Sequence, residues 1–210
     1  MMSLLILGAG GHGKVVAETA EANGDWDKIA FLDDDFARLN GTLRWPVVGG
    51  MKDVAGLREE YVAAIVAIGR TETRLKLLEL VSTAGFSLPA LIHPRAWVSS
   101  SAKVGAGSVV FAQGVIQADA CLGRGVIVNT SASVDHDCTL ADGVHVCPGV
   151  HLGGSVTVGE GSWLGIGCAI MHGIRVGRGV TVGAGAVVLK DVADDLTVAG
   201  CPAQPVGVSR

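Results

Sequence analysis

A repeat of six residues constrains the fold of this chain more than any other feature. From Ile92 to Val188 every sixth residue is aliphatic, which gives seventeen positions without a gap. Four positions after each of them stands a residue of small or moderate size, from Ala96 to Val192. Hexad repeats are typical of parallel β-helices, in which each hexad forms one short strand and a turn. Three hexads make one coil of about 18 residues, so the repeat predicts between five and six coils that stack only on their neighbours.

The composition agrees with this prediction. The chain of 210 residues contains 31 glycines, while aromatic residues make up 4% and charged residues 17%. With so few aromatic side chains, small and β-branched residues must fill the interior. Such an interior suits tightly coiled β-structure better than a helical bundle.

The first 90 or so residues follow a different pattern. Short apolar runs predict strands over 4–7, 29–32 and 62–68, and helices are predicted over 14–22 and 71–84. Alternating strands and helices are typical of a doubly wound parallel sheet. The sequence therefore predicts two domains, a Rossmann-like α/β unit over 1–90 and a β-helix over 91–210.

Charge and cysteine content argue against several classes of protein. The net charge is −4 and Lys and Arg form no cluster, so nucleic-acid binding is not expected. The five cysteines are odd in number and form no C-x-x-C pair, which disfavours a disulfide framework or zinc ribbon and favours a reducing cytoplasm. The apolar N-terminus is predicted to be a first strand rather than a signal peptide, and no membrane span is expected.

Several segments together resemble one family of enzymes. They are GAGGHG, FLDD, AIG, NTSASVDHDC and AGCPAQPV, combined with the hexad repeat. The chain resembles the nucleotide-sugar acetyltransferases that N-acetylate UDP- or GDP-4-amino sugars, and the related sialic acid O-acetyltransferases share this layout. The resemblance implies a left-handed β-helix, a homotrimer, and active sites between neighbouring subunits where acetyl-CoA lies along a groove. It also implies that the N-terminal unit, including Gly69 of AIG, holds the nucleotide sugar.

His136 is the strongest catalytic candidate. The hexad register puts it on an outer face or corner of the coil, between Asp135 and Asp137. From the residues alone a solvated surface histidine is the favoured interpretation, although a neighbouring carboxylate also makes an imidazole more basic. The resemblance implies that His136 is the proton acceptor and that Asp137, where the family often has Glu, raises its basicity. Asn129 is either a turn residue or a group that positions the amine or the developing oxyanion.

Three further positions are candidates for contacts with acetyl-CoA. The resemblance implies that His145 binds the thioester carbonyl or a pantetheine amide, whereas by itself it would be a polar corner residue. Ile166 and Ala184 match positions where the family places CoA along the coils, and the tail over 200–203 matches another. Cys138 points inward by the hexad rule, so no acyl-enzyme intermediate is expected.

The glycine turn LLILGAGGHGKVV admits several ligands. Its G-x-G-x-x-G spacing fits NAD, but a β-helix is a poor partner domain for hydride transfer. Val15 follows Lys14 where a P-loop requires Ser or Thr. In the sugar-nucleotide interpretation, the phosphates and sugar lie against Gly10, Gly11 and His12 at a helix N-terminus. Asp33 and Asp34 then accept hydrogen bonds from the base or ribose, and a purely structural turn also remains open.

Three other functions are alternatives to N-acetylation. One is O-acetylation of a sugar such as a sialic acid. Another is a zinc carbonic anhydrase, for which His136, His145, His151 and His172 are available; the ligand pair five residues apart that such enzymes have is absent, and no metal is expected. The third is a nucleotide-binding trimer without enzymatic activity.

Overall fold

A parallel α/β unit forms the N-terminal part of the protein. The computed structural model describes residues 2–207. The unit contains strands β1 (Ser3–Leu7), β2 (Lys28–Leu32), β3 (Val47–Gly49) and β4 (Ala63–Val66), and helices α1 (Gly11–Asn23), α2 (Phe36–Leu39) and α3 (Thr71–Thr83). A 3-10 helix spans Met51–Leu57. All four strands pair in parallel, in the order β3-β2-β1-β4.

The predicted α/β unit is confirmed, with differences at the ends of its elements. Helix α1 begins at Gly11 rather than Lys14, because glycines with low helix propensity form its first turn and hide it from the pattern. Strand β4 is shorter than the predicted 62–68. Within residues 2–207, no helix combines the length and apolar character that a membrane crossing requires.

The hexads form a parallel β-helix from Leu91 onward. Seventeen two-residue strands, β5–β21, each end on one of the predicted aliphatic residues: Leu91–Ile92, Trp97–Val98, Lys103–Val104, Val109–Val110, Val115–Ile116, Cys121–Leu122, Ile127–Val128, Ser133–Val134, Thr139–Leu140, His145–Val146, His151–Leu152, Thr157–Val158, Trp163–Leu164, Ala169–Ile170, Arg175–Val176, Thr181–Val182 and Val187–Val188. Strands β22 (Thr197–Ala199) and β23 (Gln204–Pro205) close the C-terminal end. Residues 208–210 of the predicted second domain, like Met1, lie outside the described residues.

Stacked coils produce three flat faces. Each strand pairs with the strand three hexads further along the chain, as Ile127 does with His145, which confirms the predicted coil of three hexads. The faces are an eight-stranded sheet from β5 to β23, a six-stranded sheet from β6 to β21 and a five-stranded sheet from β7 to β19. The chain passes from the eight- to the six- to the five-stranded sheet in each coil. We call the turns between the eight- and six-stranded sheets the 8/6 corner. The turns between the six- and five-stranded sheets form the 6/5 corner.

The α/β unit packs on the eight-stranded sheet. One hydrophobic cluster contains Leu4, Ile6 and Phe31 from the α/β unit and Phe111 and Ile127 from the β-helix. A second cluster runs along the inside of the coils and holds the inward aliphatic residues. Because the first cluster draws on both parts of the chain, it fixes where the glycine turn lies relative to the coils.

Candidate active site

His136 lies at the 6/5 corner, in the turn between β12 (Ser133–Val134) and β13 (Thr139–Leu140), and its side chain is exposed. Its ring Nδ1 is 2.7 Å from Asp137 Oδ2. This hydrogen bond, together with the negative charge of Asp135, raises the pKa of His136. With the proton on Nδ1, where it bonds to Asp137, Nε2 keeps a lone pair that can accept another proton. A histidine oriented in this way by a carboxylate is suited to act as a general base.

The backbone beneath this pair is held from two sides. The amide of Asp137 donates to Ala118 O in the preceding coil (3.0 Å), and His136 O accepts from the amide of Ser155 in the following coil (2.8 Å). Asp137 adopts a left-handed conformation with φ 59°, which Asp tolerates better than most residues. The coil structure therefore fixes the position from which both side chains project.

A cleft beside His136, which we call the first cleft, runs along the 6/5 corner. Its volume is about 620 Å³, and it is lined by Asp135, His136, Gly153, Gly154, Ser155, His172 and Gly173. His136, Gly154 and His172 follow one another at intervals of one coil and so occupy the same position in three successive coils. The first cleft is thus open to solvent directly at the candidate base.

A second cleft runs along the 8/6 corner. It has a volume of about 400 Å³ and is lined by Asn129, His145, Cys147, Pro148, Trp163, Gly165, Ile166, Thr181, Val182, Gly183 and Ala184. Four predicted site residues, Asn129, His145, Ile166 and Ala184, therefore come together here. Its mostly apolar wall and its length over four coils suit a long, thin ligand.

His145 forms the inner wall of the second cleft. Its side chain is buried, its ring centroid is 4.2 Å from that of Trp163, and Nε2 is 3.4 Å from Asn129 Nδ2. Burial, and then the positive charge of Arg74, lowers the pKa of His145 to about 3. Its Nδ1 is buried and has no hydrogen-bond partner among the described residues. A neutral imidazole with an unused polar atom suits binding rather than proton uptake.

His12 brings the glycine turn close to the second cleft. Its ring packs edge-on against Phe111 at 5.4 Å and lies 6.3 Å from the ring of His145. Burial and the nearby Arg74 lower the pKa of His12 to about 4. Its buried Nε2 has no partner within residues 2–207. The predicted substrate contact and the predicted acetyl-CoA contact are therefore neighbours in space.

The glycines of the turn serve two purposes. Gly8 has φ 107°, and a side chain on Gly13 would collide with the carbonyl of Gly8. A side chain at Gly10 or Gly11 would meet nothing within 4 Å. Gly8 and Gly13 are thus required by the turn itself, whereas Gly10 and Gly11 leave open space at the N-terminus of α1, where free amides favour anions.

The two predicted acidic contacts are partly engaged by the protein itself. Asp33 accepts hydrogen bonds from the amides of Ala9 (2.8 Å) and Asp35 (2.9 Å), so it supports the glycine turn. Asp34 accepts one from the amide of Met51 at 2.8 Å. Asp34 also lines a cleft of about 590 Å³ with Phe36, Ala37, Val48, Gly49, Gly50, Lys52 and Asp53. Of the two, Asp34 is the better placed to face a ligand.

Arg74 is a buried residue that the sequence did not single out. Its guanidinium donates to the carbonyls of Ile68, Gly69, Gly125 and Gly143 at 2.7–2.9 Å and to Thr71 Oγ1 at 3.3 Å. Burial lowers the pKa of Arg74 to about 10, so it stays charged at neutral pH. The predicted contact Gly69 is therefore fixed through its carbonyl. Since Arg is seldom fully buried, the helical pattern does not predict that Arg74 lies in the interior.

Trp163, which lines the second cleft, is also not among the sequence candidates, although the hexad spacing indicates its position. Ile127, His145 and Trp163 follow one another at intervals of three hexads and occupy one outward column of the eight-stranded sheet. Once the coil length of three hexads is known, the sequence predicts Trp163 as the neighbour of His145 in the following coil. The same spacing pairs His136 with Gly154.

The structure separates some of the predicted residues. Asn129 lies at the 8/6 corner and His136 at the 6/5 corner, on opposite edges of the six-stranded sheet. The residues between them carry the chain across that sheet from one corner to the next. Within one chain, therefore, Asn129 is grouped with His145 and not with the candidate base.

The histidines considered for zinc are also apart. His136 and His172 line the first cleft, His145 lines the second, and His151 Nδ1 is 2.8 Å from Ser133 Oγ. Within residues 2–207, no group of three His, Cys, Asp or Glu side chains is arranged to hold a metal ion.

Comparisons with known proteins place the chain in a family. The PglD N-terminal domain family matches residues 3–81, and the bacterial transferase hexapeptide family (six repeats) matches residues 155–190. The structure is similar to the acetyltransferase domain of PglB from Neisseria gonorrhoeae in complex with acetyl coenzyme A, with 48% identity, coverage of 97% of this chain and 98% of that chain, and a TM-score of 0.93.

Two further relatives carry substrate names. PerB from Caulobacter crescentus, solved with CoA and GDP-perosamine, is 40% identical, covers 99% of this chain and 98% of that chain, and has a TM-score of 0.93. A UDP-N-acetylbacillosamine N-acetyltransferase from Bacillus subtilis is 39% identical over 114 residues, which is 53% of this chain and 52% of that protein. The aligned part thus spans about half the length of this curated relative. The predicted fold class is confirmed, and the chain belongs to the nucleotide-sugar N-acetyltransferases that join a PglD-type N-terminal unit to a left-handed β-helix of hexapeptide repeats.

Proposed function

We propose that this protein transfers the acetyl group of acetyl-CoA to the amino group of a nucleotide-linked 4-amino sugar. The observation that carries the proposal is the His136–Asp137 pair, whose 2.7 Å hydrogen bond leaves Nε2 open to the first cleft. The reaction supplies precursors for a bacterial glycan. Similar solved structures hold acetyl coenzyme A or CoA with GDP-perosamine, which supports both substrates.

In the proposed mechanism the sugar amine attacks the thioester carbonyl directly. The new C–N bond forms as Nε2 of His136 takes one proton from the attacking nitrogen. The C–S bond then breaks, and the departing CoA sulfur takes the proton back from the imidazolium. Asp137 keeps the ring oriented and stabilises its positive charge in between. The acetylated sugar and free CoA are the only products.

The cysteines support direct transfer rather than an acyl-enzyme. Cys147 lines the second cleft, but burial raises its pKa to about 11. Cys138, which follows Asp137 in the same turn, is also buried with a raised pKa. Only a thiolate is an effective nucleophile, so both side chains are inert at neutral pH.

We assign the acetyl-CoA to the second cleft. Its apolar wall runs along four coils, and Ile166 and Ala184 stand on its rim. The unused Nδ1 of His145 and the side-chain amide of Asn129 provide hydrogen bonds at its inner end. These four residues form the proposed acetyl-CoA site, with Asn129 placed to stabilise the developing oxyanion.

We assign the nucleotide sugar to the N-terminal unit, over 1–90. Gly10 and Gly11 offer open space and amides to the phosphates. His12 has an unused buried nitrogen, and its ring lies 6.3 Å from the ring of His145 in the second cleft. Asp34 faces the base or ribose, and we include Asp33 and Gly69 in the proposed site. The relatives include both a UDP-sugar and a GDP-sugar enzyme, so both nucleotides belong in the test.

We further propose a homotrimer with the active sites between subunits. The candidate base and the proposed acetyl-CoA site lie on opposite edges of one sheet, the six-stranded one. In a ring of three copies whose six-stranded sheets face the threefold axis, the 6/5 corner of each copy meets the 8/6 corner of the next. The outward residues of the sheet suit such contact, since most are small or apolar: Trp97, Val115, Ser133, His151, Ala169 and Val187. We also propose a cytoplasmic location, which the free cysteines and the proposed substrates support.

The test is a panel of UDP- and GDP-linked 4-amino sugars incubated with acetyl-CoA while thiol release is followed. We expect turnover with at least one of them. Replacing His136→Ala should lower kcat by about 100-fold or more while CoA still binds, since a general base contributes rate rather than affinity. His93→Ala is the matched control, because His93 lies outside both clefts.

Two results would overturn the proposal. One is turnover with a free sugar acid and with no amino sugar, which would indicate an O-acetyltransferase. The other is a His136→Ala variant as active as the His93→Ala control. Stoichiometric zinc in the purified protein, required for activity, would favour the carbonic anhydrase alternative.

A further inference from the structure

The ring of His136 rests on a glycine of the next coil. Gly154 stands three hexads after His136 and occupies the equivalent position at the 6/5 corner. A Cβ atom built on Gly154 would lie 2.5 Å from His136 Cε1, 2.6 Å from Nε2 and 3.2 Å from Cδ2. These are its three nearest neighbours, so the group that excludes a side chain at Gly154 is the imidazole itself.

The backbone conformation does not explain this glycine. Gly154 is not among the residues with positive φ, whereas Gly149 and Gly161 in the flanking turns are. The adjacent Gly153 is a different case, because a Cβ there would lie 2.7 Å from the backbone nitrogen of His172. Gly153 is therefore needed for coils to stack, and Gly154 is needed only to leave room for a ring.

The ring has little freedom to avoid an added methyl group by moving with its backbone. The main chain at His136 and Asp137 is hydrogen-bonded to the coil before and the coil after. Asp137 is further fixed by its left-handed φ of 59°. A methyl group at position 154 must then rotate the imidazole about its side-chain bonds, away from Asp137 Oδ2.

We propose that Gly154 is a positioning residue for the acetyl transfer, whose missing side chain lets the His136 ring lie against the coil with Nδ1 on Asp137 and Nε2 in the first cleft. The inference rests on the proposed role of His136 as the base. It goes beyond that role by assigning a function to a residue that takes no part in proton transfer. Gly154 has only a hydrogen atom where other residues have a Cβ, and the ring lies against this position.

The test compares Gly154→Ala with Gly56→Ala. A Cβ on Gly56 meets nothing within 4 Å, so that variant controls for the general effect of adding a methyl group. For Gly154→Ala we expect a fall in kcat of about 10- to 100-fold, part of what general-base catalysis contributes, with the KM for acetyl-CoA within about twofold of wild type. The acid limb of the pH profile should move to lower pH, because the ring loses the carboxylate that raises its pKa.

A double-mutant cycle separates this role from any other. In a His136→Ala background there is no ring to displace, so Gly154→Ala should change the residual rate by less than about twofold. The same fall in both backgrounds would overturn the inference, as would a Gly154→Ala variant with the kcat of Gly56→Ala. If Gly154→Ala alone folds poorly, the double variant should recover the melting temperature of His136→Ala, and failure to do so would also count against the proposal.

A structural measurement keeps the inference apart from the proposed function. The crystal structure of Gly154→Ala should show the His136 ring rotated and its bond to Asp137 broken, whatever the rate. An unmoved ring contradicts the inference even if His136 is the base. Conversely, full activity of His136→Ala contradicts the proposed function. It does not affect the expected displacement of the His136 ring in the Gly154→Ala structure.

Discussion

Three histidines of this protein differ in ionisation because their surroundings differ. His136 is exposed beside two carboxylates, which raise its pKa. His12 and His145 are buried near the charge of Arg74, and their pKa values fall to about 4 and about 3. One imidazole is therefore more basic than an ordinary histidine, while the other two stay uncharged at neutral pH and keep unused polar atoms for a ligand.

The carboxylate of Asp137 should control the pH dependence of the reaction. His136 accepts a proton only when neutral, so kcat/KM falls as the pH drops through its pKa. Asp137→Asn removes the main cause of the raised pKa, so the acid limb should move to lower pH. The weaker base should also lower the plateau, by about tenfold. Asn tolerates the left-handed backbone at this position, and pH-rate profiles of both proteins measure the change.

Asp135→Asn is the control for this prediction. Asp135 influences His136 by charge alone, since its Oδ1 accepts a hydrogen bond from the backbone amide of His136 at 2.8 Å. Its substitution should shift the acid limb less than Asp137→Asn does. An acid limb that stays in place in Asp137→Asn would show that the hydrogen bond between Asp137 and the imidazole does not set the basicity of the ring.

Among the secondary-structure elements, helix α3 is fastened to the β-helix by one side chain. Arg74 reaches the turn carbonyls of Gly125 and Gly143, which lie in successive coils, and the carbonyls of Ile68 and Gly69 before α3. Gly143 shortly precedes His145 in the chain. A buried guanidinium with every N–H group on a neutral oxygen therefore ties the predicted sugar-nucleotide loop to the wall of the second cleft.

Removing this guanidinium should destabilise the protein. Arg74→Met keeps much of the volume but leaves buried carbonyls of Gly125 and Gly143 without donors, which costs about 1–3 kcal/mol per unsatisfied group. The stability of Arg74→Lys should lie between that of wild type and that of Arg74→Met, since Lys has fewer donors and lacks the planar fork. Denaturant unfolding measures the change, and Arg70→Met, at an exposed position one turn earlier, is the control. Equal stability of Arg74→Met and Arg70→Met would contradict the prediction.

In the molecule as a whole, the two clefts lie on opposite edges of the six-stranded sheet. The hydrophobic cluster shared by the α/β unit and the eight-stranded sheet holds His12 beside the second cleft of the same chain. One chain therefore presents the proposed substrate-binding groups at one edge and the candidate base at the other. In the proposed function a complete site therefore draws on a neighbouring chain, which is the basis of the proposed trimer.

Mixed trimers should recover activity that neither parent has. Ile166→Asp disrupts the second cleft and His136→Ala removes the base, so each variant alone should be inactive. When the two are co-expressed, about one quarter of the sites should draw the intact half from each of two different chains. We expect about one quarter of the wild-type rate, measured by thiol release. Activity no greater than that of the parents would mean that each site is built within one chain.

The order of residues along the chain is enough to specify the β-helix, its register and the corner position of His136. A hexad repeat acts through local strand and turn preferences, and each coil contacts only its neighbours, so no long-range information is required. The glycine spacing likewise specifies the turn that opens α1. Each of these features depends on residues close together in the chain or separated by a fixed multiple of six.

The way the α/β unit lies on the coils follows from tertiary packing alone. The burial of Arg74 and the contact of His12 with Phe111 both depend on that packing. Apolar periodicity shows which face of an element is buried but not against what, because hydrophobic contact is not directional. The depressed pKa values of His12 and His145 depend on the same burial, so the chemistry of these two histidines came from the fold, while that of His136 was already encoded by the carboxylates beside it.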